Sequence, residues 1–531
     1  MTGDRPVIII AATPTPNGDL HVGHLAGPYL AGDVYARFLR ASGRTVSYTT
    51  CTDDSQSYVI TTAARRNTTP QQLCAVSTAA ISNSLDEMGI SIEPLPPIDD
   101  TYRQCVLDFV TRLHATGRLR ERTVRLPYAT RAGRYLYDGL VSGRCPICSA
   151  TSSGGACEDC GHPNNFDELL DARYSLDPTD EVVYRQERIL VLPMEEYRQQ
   201  LTSYFHSRTG LWRAHPMQLI RELLARPLPD IPITMPGDWG VAAPFAPTAG
   251  QIVYPWVEAM PASMYSSWHA AGAEHGPIGA LDGYWRADRE AEVVYFHGFD
   301  NTYHWGLMDL TLLMAHGDRY VLPSANVCNE FYELEGSKFS TSRNHLMRGS
   351  ELLTELPRDL IRFYLAMTAP EQRRTNFTVA GLHELTRRRL VEPWNALADK
   401  VDRVLADADS ARLPTTATGR GRAKEMLQRL AQCYQLSSFS MTRAAQTIAG
   451  ELVRLSSPEA TSTPGDLLLA ARTLLAGAAP ILIDLAEQDG NELGFTSQPP
   501  DAMPARPLPR LFSQAGDQAG PLAEPALAQH A

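Results

Sequence analysis

Residues 5–13, RPVIIIAAT, place a short β-branched run between turn signals, the pattern of a buried parallel strand. Residues 24–43, HLAGPYLAGDVYARFLRASG, recur with apolar positions at helical spacing, and Gly43 is the expected stop. The chain returns as a second strand at 45–54, TVSYTTCTDD. Strand, turn, helix and strand in that order open a doubly wound α/β nucleotide-binding fold. A mixed, turn-rich region follows from about 115 to 235, and VVYFHGFDN at 293–301 is a further strand ending in a loop, where the α/β fold resumes. From about 375 to 490 the pattern turns helical, as in AGLHELTRRRLVEPWNALADKVDRVLADA. Residues 496–531 are rich in Pro, Ala and Gln and are expected to be disordered. No internal repeat is found.

Composition narrows the class without naming it. The 531 residues are 44% hydrophobic and 20% charged, ordinary for a soluble globular enzyme. The longest apolar runs, such as VIIIAA at 7–12, fall far short of the roughly 20 residues that span a bilayer. No basic segment followed by an apolar one marks the N-terminus as a signal peptide, so a cytoplasmic location without a membrane partner is expected. A net charge of −12 argues against broad nonspecific nucleic-acid binding, although a local basic face remains compatible with RNA.

Four of the nine cysteines form a cluster, Cys145-x-x-Cys148 and Cys157-x-x-Cys160, in CPICSATSSGGACEDCG. Four thiolates on two tight turns can close a tetrahedral shell, so a structural zinc knuckle is expected. A fortuitous group of small buried cysteines is the alternative. An odd total with one paired cluster suits a reducing compartment better than a disulfide framework.

The stretch PTPNGDLHVGHLAG at 14–27 puts His21 and His24 between the first strand and the first helix. A helix N-terminus carries free N–H groups and a partial positive charge, and two imidazoles there can bond phosphate oxygens. They would stabilise charge that develops during nucleotidyl transfer. Gly23 between them permits close approach of a nucleotide to the backbone. Four residues alone also fit a capped helix with a surface histidine pair. Roughly 310 residues later, LEGSKFSTSRN at 334–344 offers Lys338, Ser340, Ser342 and Arg343 on a glycine-containing basic loop suited to triphosphate, or to no ligand at all.

The two elements together resemble the class I aminoacyl-tRNA synthetases, and more narrowly the methionyl-tRNA synthetases of the archaeal-like bacterial type. PNGDLHVGHLAGPYLAGDVYARFLR, the cysteine knuckle, VYPWVEA, GFDN and NEFYELEGSKFSTSRN carry that resemblance, over about residues 5–400. It implies a Rossmann-type α/β catalytic domain in two halves (1–114 and 236–325) with an inserted zinc-knuckle connective domain at 115–235. The loop and linker would occupy 326–375, a reduced helical anticodon-binding-like domain 376–495, and the tail 496–531.

The implied activity is formation of an aminoacyl-adenylate from ATP, with Mg²⁺, and an amino acid. His21, His24 and Lys338 match the family's catalytic positions. Gly23, Gly298, Asp300, Ser340, Ser342 and Arg343 match positions that hold ATP, with Asp300 on the ribose. Asp53 or Asp54 would anchor the α-ammonium. Ala12, Thr13, Thr15, Trp256, Ala259, Ser263 and Trp305 fall at the amino-acid pocket. Plain core packing is the alternative for Trp256 and Ala259, and turn capping for Asp300.

Departures from the family pattern gather at that pocket. Thr13 and Thr15 stand where an apolar residue and a Tyr are usual, Asp53 to Gln56 replace D-E-H-G, and Ser263 replaces a Tyr. Phe299 replaces a Lys, Trp305 a His, and Thr341 the second lysine of K-M-S-K-S. Two hydroxyls in place of apolar walls favour a smaller or more polar side chain than methionine. The usual aromatic anticodon-reading segment is replaced by a Ser/Pro/Thr link, SSPEATSTPGD. Three readings stay open: a paralogue that passes its amino acid to a small-molecule amine or hydroxylamine, as in hydrazine-forming pathways; an authentic methionine–tRNA ligase; and a non-catalytic binding scaffold. The first would need a separate partner enzyme, such as a cupin.

Overall fold

The computed structural model describes residues 5–275, 279–339, 346–458, 462–490 and 493–511. The chain divides into two compact units, residues 1–378 with 432–442, and residues 379–431 with 443–531.

The first unit is built on a four-stranded parallel sheet. Strand β1 (Val7–Ala11) is wholly buried, as its β-branched run requires. The segment Val22–His24 begins a helix, Leu25–Tyr29 widens into a π-turn, and α1 (Leu30–Ala41) completes it. The widening has a local cause: Pro28 has no N–H to donate, and Gly27 leaves helical geometry at ψ −113°. Gly43, at φ +82°, ends the helix as its position in the sequence predicts.

Strand β2 (Val46–Thr49) returns beside β1, and three helices follow, α2 (Ser57–Arg65), α3 (Pro70–Glu87) and α4 (Asp100–Ala115). The inserted region then pairs β3 (Arg120–Ala129) antiparallel with β4 (Val182–Pro193), the register running from Arg120 opposite Val191 to Ala129 opposite Val182. After α5 (Ala214–Leu224) and α6 (Pro255–His275), the chain re-enters the parallel sheet as β5 (Glu292–Gly298) and β6 (Ala325–Asn329). The sheet order is β6-β5-β1-β2, so the two halves that the sequence separates by the insert meet at β1 and β5. A short antiparallel pair, β7 (Tyr332–Leu334) and β8 (Ser337–Lys338), then precedes α7 (Arg358–Met367).

One buried ion pair ties α1 to α7. Arg362 meets Asp33 at 2.6 Å with both side chains fully enclosed, and Arg37 reaches the same carboxylate at 2.9 Å. Opposite charge holds Asp33 ionised against the cost of burial.

The second unit is mainly helical, with helices that include Glu392–Ala406, Pro464–Ala478 and Ile483–Asp489. In the RRR run at 387–389, Arg387 and Arg388 both pair with Glu384, as expected of a solvated helix face. Residues 459–461 of the Ser/Pro/Thr link lie outside the described residues.

The expectation of disorder from residue 496 onward is corrected for its first part. Ala502–Pro504 pairs antiparallel with Arg412–Pro414, Leu413 facing Met503. Trp394 donates its indole N–H to the Pro509 carbonyl at 2.8 Å, and Arg472 donates to the Arg506 carbonyl at 2.9 Å. Prolines lack N–H groups but keep their carbonyls, so a Pro-rich strand can be held by donors from outside it. Residues 512–531 lie outside the described residues. Among the described residues no helix is long and apolar enough to cross a membrane.

Candidate active site at the strand ends

In parallel sheets ligands bind beyond the carboxyl ends of the strands, and the segments with His21 and His24 and with Asp300 follow β1 and β5 there. The two imidazoles of the His-Val-Gly-His turn stack face to face, centroids 3.7 Å apart and 16° from parallel. Phe339 covers the other face of His21 at 4.5 Å. The turn is held from across the chain, since Val22 N–H donates to the Met347 carbonyl at 2.8 Å and His21 bridges to Arg348. A Cβ at position 23 would stand 3.0 Å from His21 Cε1 and 3.2 Å from Phe339 Cδ2, so glycine is what lets this stack close.

Lost solvation keeps both rings neutral. It draws His24 down to about 4, and His21 well below its ordinary value with help from the charge His24 would carry. The His21 N–H donates to His24 Nδ1 at 3.4 Å, which leaves Nε2 of His24 as the proton-bearing nitrogen. His24 keeps an exposed face.

The second cluster lies at the end of β5. Asp300 folds back so closely over Gly298 that a Cβ there would stand 2.6 Å from its Oδ1. Next to it, His215 stacks on Phe299 at 3.9 Å and 9°, and its Nδ1 lies 2.8 Å from Glu330 Oε1. His215 and Glu330 were not singled out from the sequence. The first sits in the insert and the second just after β6, so only the fold joins them. Lys338 lies on β8 opposite Glu333. Ser340, Ser342 and Arg343 lie outside the described residues.

The third cluster surrounds the predicted amino-acid pocket. Thr13 and Thr15 are half-buried in the turn after β1. Ala12 donates to the Phe296 carbonyl at 2.9 Å, and Asp53 N–H to the Pro14 carbonyl at 3.1 Å. Trp256, Ala259 and Ser263 recur at i, i+3 and i+7 and so share one face of α6. Trp256 stacks on His304 at 3.6 Å and 4°. The Ser263 hydroxyl donates back to the Ala259 carbonyl at 3.0 Å. Trp305 is 1% exposed and meets Tyr295 edge-on at 4.7 Å, while Tyr295 in turn donates to Met260 Sδ at 3.5 Å. His304, one residue before Trp305, is therefore the partner of Trp256, which the sequence reading passed over.

Three enclosed carboxyl groups stand behind this face. Asp53 is 7% exposed, and Asp138 and Glu258 are 1% exposed. Glu258 accepts from Ser55 Oγ at 2.9 Å and Tyr102 Oη at 3.0 Å, and Asp138 accepts from Tyr254 Oη at 2.8 Å. Burial pushes Glu258 and Asp138 up to about 7. It raises Asp53 well above the usual carboxylate range, and the charges of Glu258, Asp54 and Asp138 add to that rise. Glu258 in WVEA and Asp138 were not singled out from the sequence.

The four knuckle sulfurs lie within 4.8 Å of one another, with Cys145 to Cys160 at 3.7 Å and Cys148 to Cys157 at 3.6 Å. A tetrahedron with Zn–S near 2.3 Å places its sulfurs about 3.8 Å apart, so the donor set fits zinc. All four positions would be filled, which suits a structural role. The loop between the cysteine pairs packs on Asp138, where a Cβ at Gly154 would stand 2.6 Å from its backbone nitrogen.

A family model described as tRNA synthetases class I (M) matches residues 7–404. The methionine–tRNA ligase of Christiangramia forsetii is 29% identical over 399 residues, 74% of this chain and 57% of that one. That of Chlorobaculum tepidum is 30% identical over 399 residues, 73% of this chain and 56% of that one. The chain thus spans about half the length of the curated relatives it matches. A solved structure of Mycobacterium tuberculosis methionyl-tRNA synthetase bound by methionyl-adenylate superposes with a TM-score of 0.73 at 16% identity, over 96% of this chain and 100% of that one. The sequence match and the shared fold lead to one conclusion: the chain belongs to the methionyl-tRNA synthetase family of class I tRNA synthetases.

Proposed function

We propose that the protein activates an amino acid with ATP, and that its preferred amino acid is not methionine. The stacked His21–His24 pair at the end of β1, beside Phe339 and the start of the Lys338 loop, is the observation that carries the reading. In the reaction a carboxylate oxygen of the amino acid attacks the α-phosphorus of ATP. The bond from that phosphorus to the bridging oxygen breaks, and pyrophosphate leaves with the electron pair. His24 donates from Nε2 to the phosphate oxygens as charge moves onto them. Asp300 accepts from the ribose hydroxyls. Asp53 receives the α-ammonium, whose positive charge favours the ionised carboxylate that burial alone disfavours. Mg²⁺ enters with ATP as part of the substrate. Zinc held by Cys145, Cys148, Cys157 and Cys160 would fix the inserted region and take no part in the transfer.

The altered preference is supported by hydroxyls at Thr13 and Thr15 and by the close packing of Trp256 on His304 and of Trp305 on Tyr295. For the acceptor we favour a small molecule over tRNA, because the usual aromatic anticodon-reading segment is replaced by a Ser/Pro/Thr link. The relatives at 29–30% identity support a second reading, methionine–tRNA ligation. Amino-acid-dependent ATP–pyrophosphate exchange without tRNA tests both. Exchange driven by another amino acid is the expected result. Exchange driven by methionine well above the rest returns the protein to translation, and no exchange with any amino acid removes the activation reading.

A further inference from the structure

The sequence leaves Asp53 and Asp54 as equal candidates for one role, yet their surroundings differ. Asp53 stands with Glu258 and Asp138 behind the Trp256 face. Asp54 instead lines a cavity of about 780 Å³ that Thr52 and Ser55, on either side of Asp53 and Asp54, also border. Neither Asp53, Trp256 nor His24 lines it. One face of α3 forms a wall, with Cys74, Thr78, Ala79 and Ser82 along it, and Tyr102 and Trp239 face it from other elements.

The hydrogen bonds decide what this cavity can recognise. Trp239 donates its indole N–H to the Asp54 carbonyl at 2.7 Å, which ties the turn after β2 to the Trp239 side of the cavity. The Ser55 and Tyr102 hydroxyls donate to Glu258 and are committed there. Arg103, the one cation in the lining, pairs with Asp100 at 2.8 Å, and Asp238 at the rim pairs with Arg134 at 2.9 Å. Thr52 and Cys74 bond the Asp54 carboxylate, but its Oδ1 is enclosed and no hydrogen-bond partner reaches that oxygen among the described residues. An enclosed acceptor without a donor is costly, and a ligand that supplies the donor removes that cost.

We propose that this cavity receives the acceptor of the activated acyl group, as a primary amine carrying a second, ammonium group that pairs with Asp54. The inference rests on the activation reading above. The neutral amine nitrogen attacks the carbonyl carbon of the adenylate. A carbon–nitrogen bond forms, the bond from that carbon to the phosphate oxygen breaks, AMP leaves with the electron pair, and the nitrogen's proton passes to water. A carboxylate at one end and an aromatic wall beside it suit a charged head on an apolar stem.

The test uses the full-length protein, ATP with Mg²⁺ and whichever amino acid supports exchange. The probe is 1,5-diaminopentane, with pentylamine as the singly charged control. At equal concentrations of neutral amine, the diamine is expected to be acylated at least tenfold faster. Asp54→Asn should abolish that preference. Ala79→Trp, which fills the cavity from α3, should lower the ratio of amide formation to pyrophosphate exchange at least tenfold. Equal acylation of the two amines by the unmodified protein, a preference that survives both substitutions, or acylation of tRNA but not of the diamine overturns the inference. Each of these outcomes leaves exchange intact, whereas absence of exchange in the unmodified protein overturns the activation reading itself.

Discussion

The imidazole of His21 lies between two other rings, His24 at 3.7 Å on one face and Phe339 at 4.5 Å on the other. Its own Nδ1 is enclosed without a hydrogen-bond partner among the described residues. The outer ring, His24, is the one with an open face and a proton on Nε2. His24→Ala is expected to slow pyrophosphate exchange by about a hundredfold or more, the order seen when a donor to developing charge is removed. Steady-state exchange at saturating ATP measures it, and an unchanged rate removes His24 from the mechanism.

Gly23 offers a subtler perturbation of the same stack. An added methyl would press on His21 Cε1 at 3.0 Å and Phe339 at 3.2 Å, shifting His21 and the His24 ring stacked on it without removing the donor nitrogen. Gly23→Ala is expected to lower exchange tenfold to a hundredfold, because displacing a catalytic group by about 1 Å can have that effect. Thermal unfolding recorded beside the rates separates this from a loss of fold. A fully active Gly23→Ala protein would show that the stack is not the working arrangement.

Much of this site is written locally in the sequence, and the remainder is not. His21, Gly23 and His24 share one turn, so their spacing reveals them. The β1 run and the Gly43 stop are equally local. His215 and Glu330 are 115 positions apart and meet only because α5 of the insert packs at the ends of β5 and β6. Asp138 gains its meaning from Tyr254 and from Gly154, again through tertiary packing. Trp256 reads from its motif as a pocket wall, but its partner His304 does not, since stacking depends on how a π-turn at Thr302–Met308 rotates the residues after β5. The order of residues 496–511 was hidden for a different reason. Their composition predicts little self-pairing, and the donors that hold their carbonyls come from Trp394 and Arg472.

The knuckle makes a prediction about stability. With the four sulfurs at tetrahedral spacing, purified protein should carry one zinc per chain. Chelation should lower the melting temperature, because a bound metal stabilises only the folded arrangement of its ligands. Cys145→Ser should reproduce the effect without chelator. Metal analysis that finds no zinc, or a melting temperature indifferent to chelation, would withdraw the assignment.

Glu258 gives a prediction with a definite sign. It is 1% exposed and holds Ser55, Tyr102 and the Val241 N–H, at 2.9, 3.0 and 3.4 Å. Burial moves its pKa from 4.5 up to about 7. Between those values the folded state keeps a proton that the unfolded chain has released. The stabilisation from that proton is present in full below about pH 4.5 and is lost as pH rises through 7. Glu258→Gln cannot titrate, and any penalty from pointing its amide at the Val241 N–H is the same at every pH. The unmodified protein should therefore lose about 3 kcal/mol relative to Glu258→Gln between pH 4.5 and 8, at 1.36 kcal/mol per pKa unit. Denaturant unfolding of the pair across that range measures the difference. Asp138, raised to a similar value, titrates in both proteins and cancels, while Asp53, which the charge of Glu258 pushes up, adds to the loss in the same direction. A difference that stays flat with pH would mean that Glu258 remains ionised in the fold, held by its three donors against burial.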